Sequence, residues 1–584
     1  TFRRRRRRRR FYQHLFIQGG SHHIIDMTPM MKNHILPSFG SSSSSSKVGK
    51  VVARRRHRSS AASLVPRSSA SSSPSTPLPA WATALVEGTQ NTLQRACDDA
   101  IARMPSNAEE PTVAICFVSS TLNDSYDDTV ATLRQRVPSL RAVVGCSAYG
   151  CIGEEDVDDD SNDDTQPKEV ERKAAACVAL GAFPQSVAVA THVEDNSLPD
   201  ADDPPEVWHA RFGLAGTPAE AISRDPPSFV VFSSPGFRNL QALIDGLDFA
   251  FPNCSVVGGI SSWSEMEHPQ ALFHYAATDE AAAGGSTGRY ETGAVVLCLQ
   301  GGGVRIESLA AQGCRPLHTP PIAIASSDRN IVTSVIASNG SKVTPLEHLM
   351  RTLSNLDDSD RSAARNLMAA LTPKSTDALR SDDDENKDDD GKKEDEKEDD
   401  DDDEESPSWK STWGSDSTNG YLVRPIVGAD NNSGAVALGS EISPDQRLTW
   451  VCRDKEGATQ DLELHLSERV RRRLEASFSG SSEGSTKQVL GCLLCACNGR
   501  GYDLFQSDSF DSRTVRRYEP SGKVCGYFAN GEIARCGVHD PAVAAAAADR
   551  SPSRRQSSIS SRDPVSLLGF TLVVGFVTYS PPPS

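Results

Sequence analysis

The sequence predicts an α/β protein: two lobes of mixed β-sheets flanked by helices, with a disordered N-terminal tail and an acidic loop inserted late in the chain. Three observations carry that expectation. Short apolar runs at 113–118, 229–232, 294–299 and 489–495 have the length and composition of buried strands. Between them lie helix-spaced apolar stripes: Tyr126, Val130, Leu133 and Val137; Leu240, Leu243, Ile244 and Leu247; Leu346, Leu349, Met350 and Leu353; Leu462, Leu466, Val470 and Leu474. These stripes read as core. Strands alternating with helices place helices over the faces of a sheet.

Composition divides the chain. The net charge of -17 over 584 residues hides two opposed tracts. Residues 1–80 carry sixteen Lys and Arg against the single acid Asp26, and residues 382–405 carry eighteen acids against four Lys. The rest is close to -18 and repels phosphate backbones, so nucleic acid is not an expected partner. The chain opens at Thr1, its first Met is Met27, and residues 1–26 read as translated upstream sequence. The stretch 27–86 is acid-free and rich in Ser and Arg, as organellar transit segments are, with a plastid favoured over a mitochondrion and the cytoplasm as the alternative. The expected division is a tail over 1–80, an N-terminal domain over 81–311 and a C-terminal domain over 312–579, the last interrupted by acidic sequence at 376–415. A second acidic stretch, 154–171, reads as a loop. The apolar stretch 565–579 is short of the ~20 residues that span a bilayer and reads as a terminal buried strand or pair of strands. Fourteen scattered cysteines read as reduced, buried side chains.

An internal echo runs through the body. The runs beginning at Val113 and Phe229 each lead through a helix to a strand that ends at glycine, as Gly145-Cys146-Ser147 and as Gly258-Gly259-Ile260-Ser261. A third, longer unit runs from Val489 to Gly526-Tyr527-Phe528. Glycine allows close backbone approach and exposed N–H groups, so these corners are either tight turns or the border of a shared pocket.

The sharpest candidate site is Cys497-Asn498-Gly499-Arg500-Gly501, a Gly-rich turn after a strand. Arg500 suits a carboxylate or a phosphate, or else bridges loop carbonyls or an internal acid such as Glu532. Cys492, Cys495 and Cys497 lack the paired knuckle of a zinc site, so no metal is expected. The segment Phe232-Ser233-Ser234-Pro235-Gly236 lacks a nucleophile elbow, His274, His318 and His539 have no spacing that marks a base, and Gly301-Gly302-Gly303 is not a dinucleotide fingerprint. Neither a catalytic set nor a cofactor is expected.

One ordered set of motifs resembles a known family. Tyr421-Leu422-Val423-Arg424-Pro425-Ile426-Val427-Gly428, the stretch 439–450, Arg453-Asp454 before a helix, the Cys497 turn and Gly526-Tyr527-Phe528-Ala529-Asn530-Gly531-Glu532 resemble the C-terminal half of FIST domains. Weaker matches to the N-terminal half run through 143–153, 229–237 and 252–262. The resemblance implies a non-enzymatic sensory module in signal transduction that binds small molecules such as amino acids. It implies a second class too, substrate recognition akin to the F-box receptors of ubiquitin ligases, although residues 1–80 show no F-box; an undetected hydrolase is the third. The ligand set it suggests comprises Gly145, Cys146, Ser147, Gly258, Gly259, Ser261, Arg424, Cys497, Asn498, Arg500, Asn530, Gly531 and Glu532. In that set Arg500 takes a ligand carboxylate and Glu532 an ammonium, while Asp454 pairs with Arg424 or Arg453.

Overall fold

The computed structural model describes residues 77–581 apart from 157–164, 201, 266–267, 278–286, 318–319, 357–360, 362–363, 373–420, 444–445, 479–486 and 541–563. The transit-like tail and the acidic insertion 376–415 therefore lie outside the described residues, but for the tail's last four.

Three mixed sheets are built on one plan. In each, two parallel strands joined through a helix form the centre. The pairs are Val113–Ser119 with Ala142–Ala148, Ser228–Ser233 with Ser255–Ile260, and Gln488–Cys497 with Lys523–Ala529. The joining helices include Thr129–Arg136, Leu240–Ala250 and Phe510–Tyr518. Antiparallel strands flank each pair, giving sheets of six, six and seven strands. The three units of the sequence echo are these three parallel pairs.

Every central strand is covered on both faces, which is why each reads as an unbroken apolar run instead of an alternating one. Residues Ile115 and Phe117 face inward, while Ala114, Cys116 and Val118 pack under the helices. The inner faces of all three sheets share one core. At its centre Phe117, Phe232 and Tyr527, one from each sheet, meet with ring centroids 4.6–5.6 Å apart. The outer faces are closed by separate helix layers.

A fourth sheet, of eight strands between residues 315 and 452, has its own core under the helix Pro345–Ser354. It is inserted between the strands Val304–Ala311 and Gln488–Cys497 of the third sheet. Mixed sheets flanked by helices are thus as expected. The two halves of the chain also exchange strands. Gly150–Asp156 and Thr165–Glu171 complete the third sheet, and Glu532–Ala534 and Ser566–Leu568 complete the second.

Two expectations need correction. The acidic stretch 154–171 is not simply a loop, because both its ends are paired strands. Its buried Glu154 accepts the Val524 N–H at 2.8 Å and the Thr165 hydroxyl at 2.9 Å and pairs with Arg516, so a carboxylate supports the sheet edge. Met350 and Leu474 continue the helix stripes but are half exposed, at 50% and 53%. The helix Lys455–Phe478 buries nothing beyond Arg469, so its last turns overrun the sheet. The apolar C-terminus forms a pair of strands, Ser566–Leu568 and Leu572–Tyr579, and no helix among the described residues is long and apolar enough to cross a membrane. None of the fourteen cysteines forms a disulfide, and all but Cys497 are buried.

The recurrent glycines have a steric cause. Gly145, Gly258 and Gly526 lie opposite Cys116, Val231 and Leu494 in the three parallel pairs. A Cβ at each would fall 2.0, 1.9 and 2.1 Å from the carbonyl oxygen of that partner. Gly145→Ala and Gly526→Ala are each expected to cost about 1–3 kcal/mol or more. Gly236→Ala, where an added Cβ meets nothing within 4 Å, should change stability by no more than roughly 0.5 kcal/mol. Urea unfolding of the three variants checks this, and an unperturbed Gly145→Ala would refute the close-approach argument.

Candidate functional site

The C-terminal ends of the three parallel pairs come together. The Ser262 N–H donates to the Ser147 carbonyl at 3.2 Å, the Ser262 hydroxyl donates to the Phe528 carbonyl, and the same hydroxyl accepts the Tyr149 N–H at 2.7 Å. The Ile260 N–H donates to Gly531 at 2.8 Å, and the Asn498 N–H to Ala529 at 2.9 Å. Residues Gly145, Cys146, Ser147, Gly258, Gly259, Ser261, Cys497, Asn498, Asn530, Gly531 and Glu532 thus belong to one junction. Most of them are buried in it; Asn530 is exposed, and Cys497, Asn498 and Gly531 are half-buried.

Arg500 is turned elsewhere. It is fully buried, and its Nε and Nη2 donate to both carboxylate oxygens of Asp511 at 2.7 and 2.8 Å. Its Nε–Nη2 edge is filled by an internal acid, one not foreseen from sequence, and its Nη1 is buried without a partner among the described residues. Asp454 likewise binds Arg315, at 2.8 Å, and caps the following helix through the Gly457 N–H. Arg453 instead donates to the Gly499 carbonyl and lies over Phe570. Arg424 sits on the fourth sheet opposite Ala369, with its Nη1 on the Val423 carbonyl.

Glu532 is the unusual member of the junction. Its Oε2 accepts the Thr571 N–H at 3.2 Å, while Oε1 is buried with no partner among the described residues. Burial pushes its carboxyl up to about 8 against the opposing pull of the Thr571 N–H and Arg500. Burial, with Glu532 beside it, also raises the Cys497 thiol to about 11, which keeps it protonated.

The repeat supplies a frame for finding what is out of pattern. In the flanking strands of the three sheets, Leu272, Glu532 and Cys151 occupy one inner-face position, opposite Cys146, Gly259 and Tyr527. Two residues on along each strand stand His274, Ala534 and Gly153. On the other side of each sheet, His192, Leu85 and Ala310 are equivalent, lying opposite Val295, Cys177 and Val573. Where the other repeats hold aliphatic or small residues, this position holds a histidine, twice, and both histidines fall in the same seam.

That seam, between the first and second sheets, contains a cleft of about 320 Å³ bordered by Thr191, His192, Glu194, Arg211, His274 and Tyr290. His192 stacks on Tyr290 with centroids 3.6 Å apart and bonds the Thr292 carbonyl at 3.0 Å. His274 lies 6.4 Å from His192, centroid to centroid, and neither of its ring nitrogens reaches regular hydrogen-bond geometry among the described residues. Burial lowers the pKa of both histidines; the backbone of Thr292 opposes this at His192 and that of Ala190 at His274, while Arg211 reinforces it. Both imidazoles are therefore neutral near pH 7. Arg211 is anchored through Nη2 to the His192 carbonyl at 2.8 Å and to Ser197 at 3.2 Å, and its Nε is buried without a partner among the described residues. Sequence reasoning missed this cleft. Setting the three units against one another strand by strand would have marked His192 and His274, but Arg211 leaves no such signal.

Family models identify both halves of the chain: a FIST N domain matches residues 112–335 and a FIST C domain matches 398–535. The chain belongs to the FIST family. FIST domains are associated with sensory roles in signal transduction. An uncharacterized protein of Mycobacterium tuberculosis is 23% identical over 445 residues, which cover 74% of this chain and 88% of the relative. One from Mycobacterium bovis is 29% identical over 113 residues, 19% of this chain and 26% of the relative. The cleft lies wholly within the FIST N match, and the Cys497–Glu532 junction within the FIST C match.

The buried carboxyl gives a pH signature. Glu532 titrates near 8 when folded, against an ordinary 4.5. Between those values the folded chain holds a proton that the unfolded chain has lost. The group therefore lowers stability as pH climbs through that window and has no effect below it. Glu532→Gln is expected to melt above the parent at about pH 8.5, with the gap closing toward pH 4.5. A gap that is independent of pH in calorimetric melts would contradict this assignment.

Proposed function

We propose that this FIST protein is a non-catalytic sensor that binds a small zwitterion of the amino-acid class in the cleft between its first and second sheets. The observation that carries the reading is the anchored Arg211, whose Nε has no partner among the described residues and lies near two neutral imidazoles, of which His274 lacks a regular hydrogen bond there. A guanidinium held from one side offers its remaining donors to a carboxylate. Glu194, exposed at the mouth of the same cleft, supplies the opposite charge for an ammonium. Thr191 and His274 add hydrogen-bonding atoms that a polar ligand can satisfy. A concave site with a few converging polar groups is the usual form of a small-molecule pocket. The Cys497–Glu532 junction is not assigned the ligand in this reading, because Arg500 is already bonded to Asp511 and the corners are closed on one another.

Isothermal titration of the full chain with a panel of free amino acids tests the proposal. At least one should bind with 1:1 stoichiometry. Arg211→Ala should then weaken that binding roughly 10- to 100-fold, the effect of losing a charge-assisted hydrogen bond. Glu194→Gln should weaken it by a smaller factor, because that carboxylate is solvated. Binding that ignores Arg211, or a panel without any response, would defeat the proposal.

A further inference from the structure

Arg211 and Ser197 border two hollows. One is the histidine-lined cleft; the other, about 490 Å³, is bordered by the same pair and lined further by Asn196, Leu198, Pro199, Val207 and Ala210. The helix Pro205–Arg211 explains the arrangement. Val207, Ala210 and Arg211 recur at helical spacing and share one side, while Trp208 and His209 turn inward, the latter bonding the Ala250 carbonyl at 2.9 Å. Val207 is left 41% exposed on an apolar shelf. Two carboxylates near it are engaged: Asp195 accepts the Arg238 and Asn239 N–H groups, and Asp203 accepts that of Asp200. Four apolar side chains line this hollow, one guanidinium away from a polar cleft.

We infer that the ligand of this site carries an apolar side chain of about four carbons or more, which lies over Leu198, Pro199, Val207 and Ala210 while its charged end is held by Arg211. The inference rests on the reading of the cleft given above and adds the class of side chain it selects. An amino acid with no side chain fills only the cleft and leaves the shelf wet. Leucine, norleucine or methionine covers both, and removing that apolar area from water supplies the selectivity. Glutamate gains nothing from the shelf, because its side chain ends in a carboxylate that stays hydrated instead of burying carbon.

Titration of the full chain with glycine, alanine, leucine, norleucine and glutamate reads the selectivity directly. Norleucine and leucine are expected to bind at least roughly tenfold more tightly than alanine, with glutamate no better than alanine. Val207→Asn and, separately, Ala210→Asn place a polar but uncharged group on the shelf and should bring leucine binding down toward the alanine level, with a smaller effect on alanine. Both positions are exposed, so neither change disturbs the core. Equal affinities for alanine and leucine that still depend on Arg211 would overturn the side-chain inference and leave the sensor reading standing. Selectivity for leucine that survives both Asn variants would overturn it too. Failure of every amino acid to bind would remove both.

Discussion

The molecule depends on three sheets burying their inner faces against one another. Phe117, Phe232 and Tyr527 meet where no single sheet could shield them, and each needs the other two. The closeness has a steric requirement: at Gly145, Gly258 and Gly526 the neighbouring strand's carbonyl occupies the place a side chain would take. Burial on both faces then sets the rest. It requires helices outside each sheet, keeps charged and hydroxyl-bearing aliphatic residues near the ends of the central strands and leaves chemistry to the seams and strand ends.

That placement gives the exceptions their meaning. A core of this kind tolerates a polar group where the group is bonded or where something else completes it. Arg500 with Asp511, and Arg469 with Glu307 and Glu519, are of the first sort. His274 and the Nε of Arg211 are not bonded in this way among the described residues, and both residues border one opening to solvent. Departure from the threefold pattern singles out this seam, and two of its polar side chains lack a full set of hydrogen bonds among the described residues.

Much of the fold was legible because its signals are local. Two-sided burial writes itself as apolar runs, the joining helices as stripes, and the repeat as recurrent glycines. The family could be read from the ordered motifs near Arg424, Cys497 and Glu532. What could not be read was pairing over distance. Nothing local tells that Asp511 and not a ligand fills the Nε–Nη2 edge of Arg500, or that Asp454 meets Arg315. The glycine corners do converge as the echo suggests, yet the same recurrence follows from strand packing alone. Arg211 looks in sequence like the basic end of a short helix, and only the fold brings His192 and His274, 82 residues apart, to face each other. Acidity misled at Glu154, where a residue typical of loops is a buried acceptor.

The exchange of strands between halves bears on how the chain is made. Glu154 accepts a hydrogen bond from an amide 370 positions later, and the second sheet gains its last strands only at residues 532–568. A polypeptide emerging from the ribosome must therefore hold several finished strands with open edges until the final stretch appears. Contacts of such long range fold slowly, and unpaired edges invite association with other nascent chains. The same interleaving means that the histidine seam does not belong to a detachable unit. Truncation anywhere before the C-terminal strand pair leaves the whole assembly, seam included, without closure.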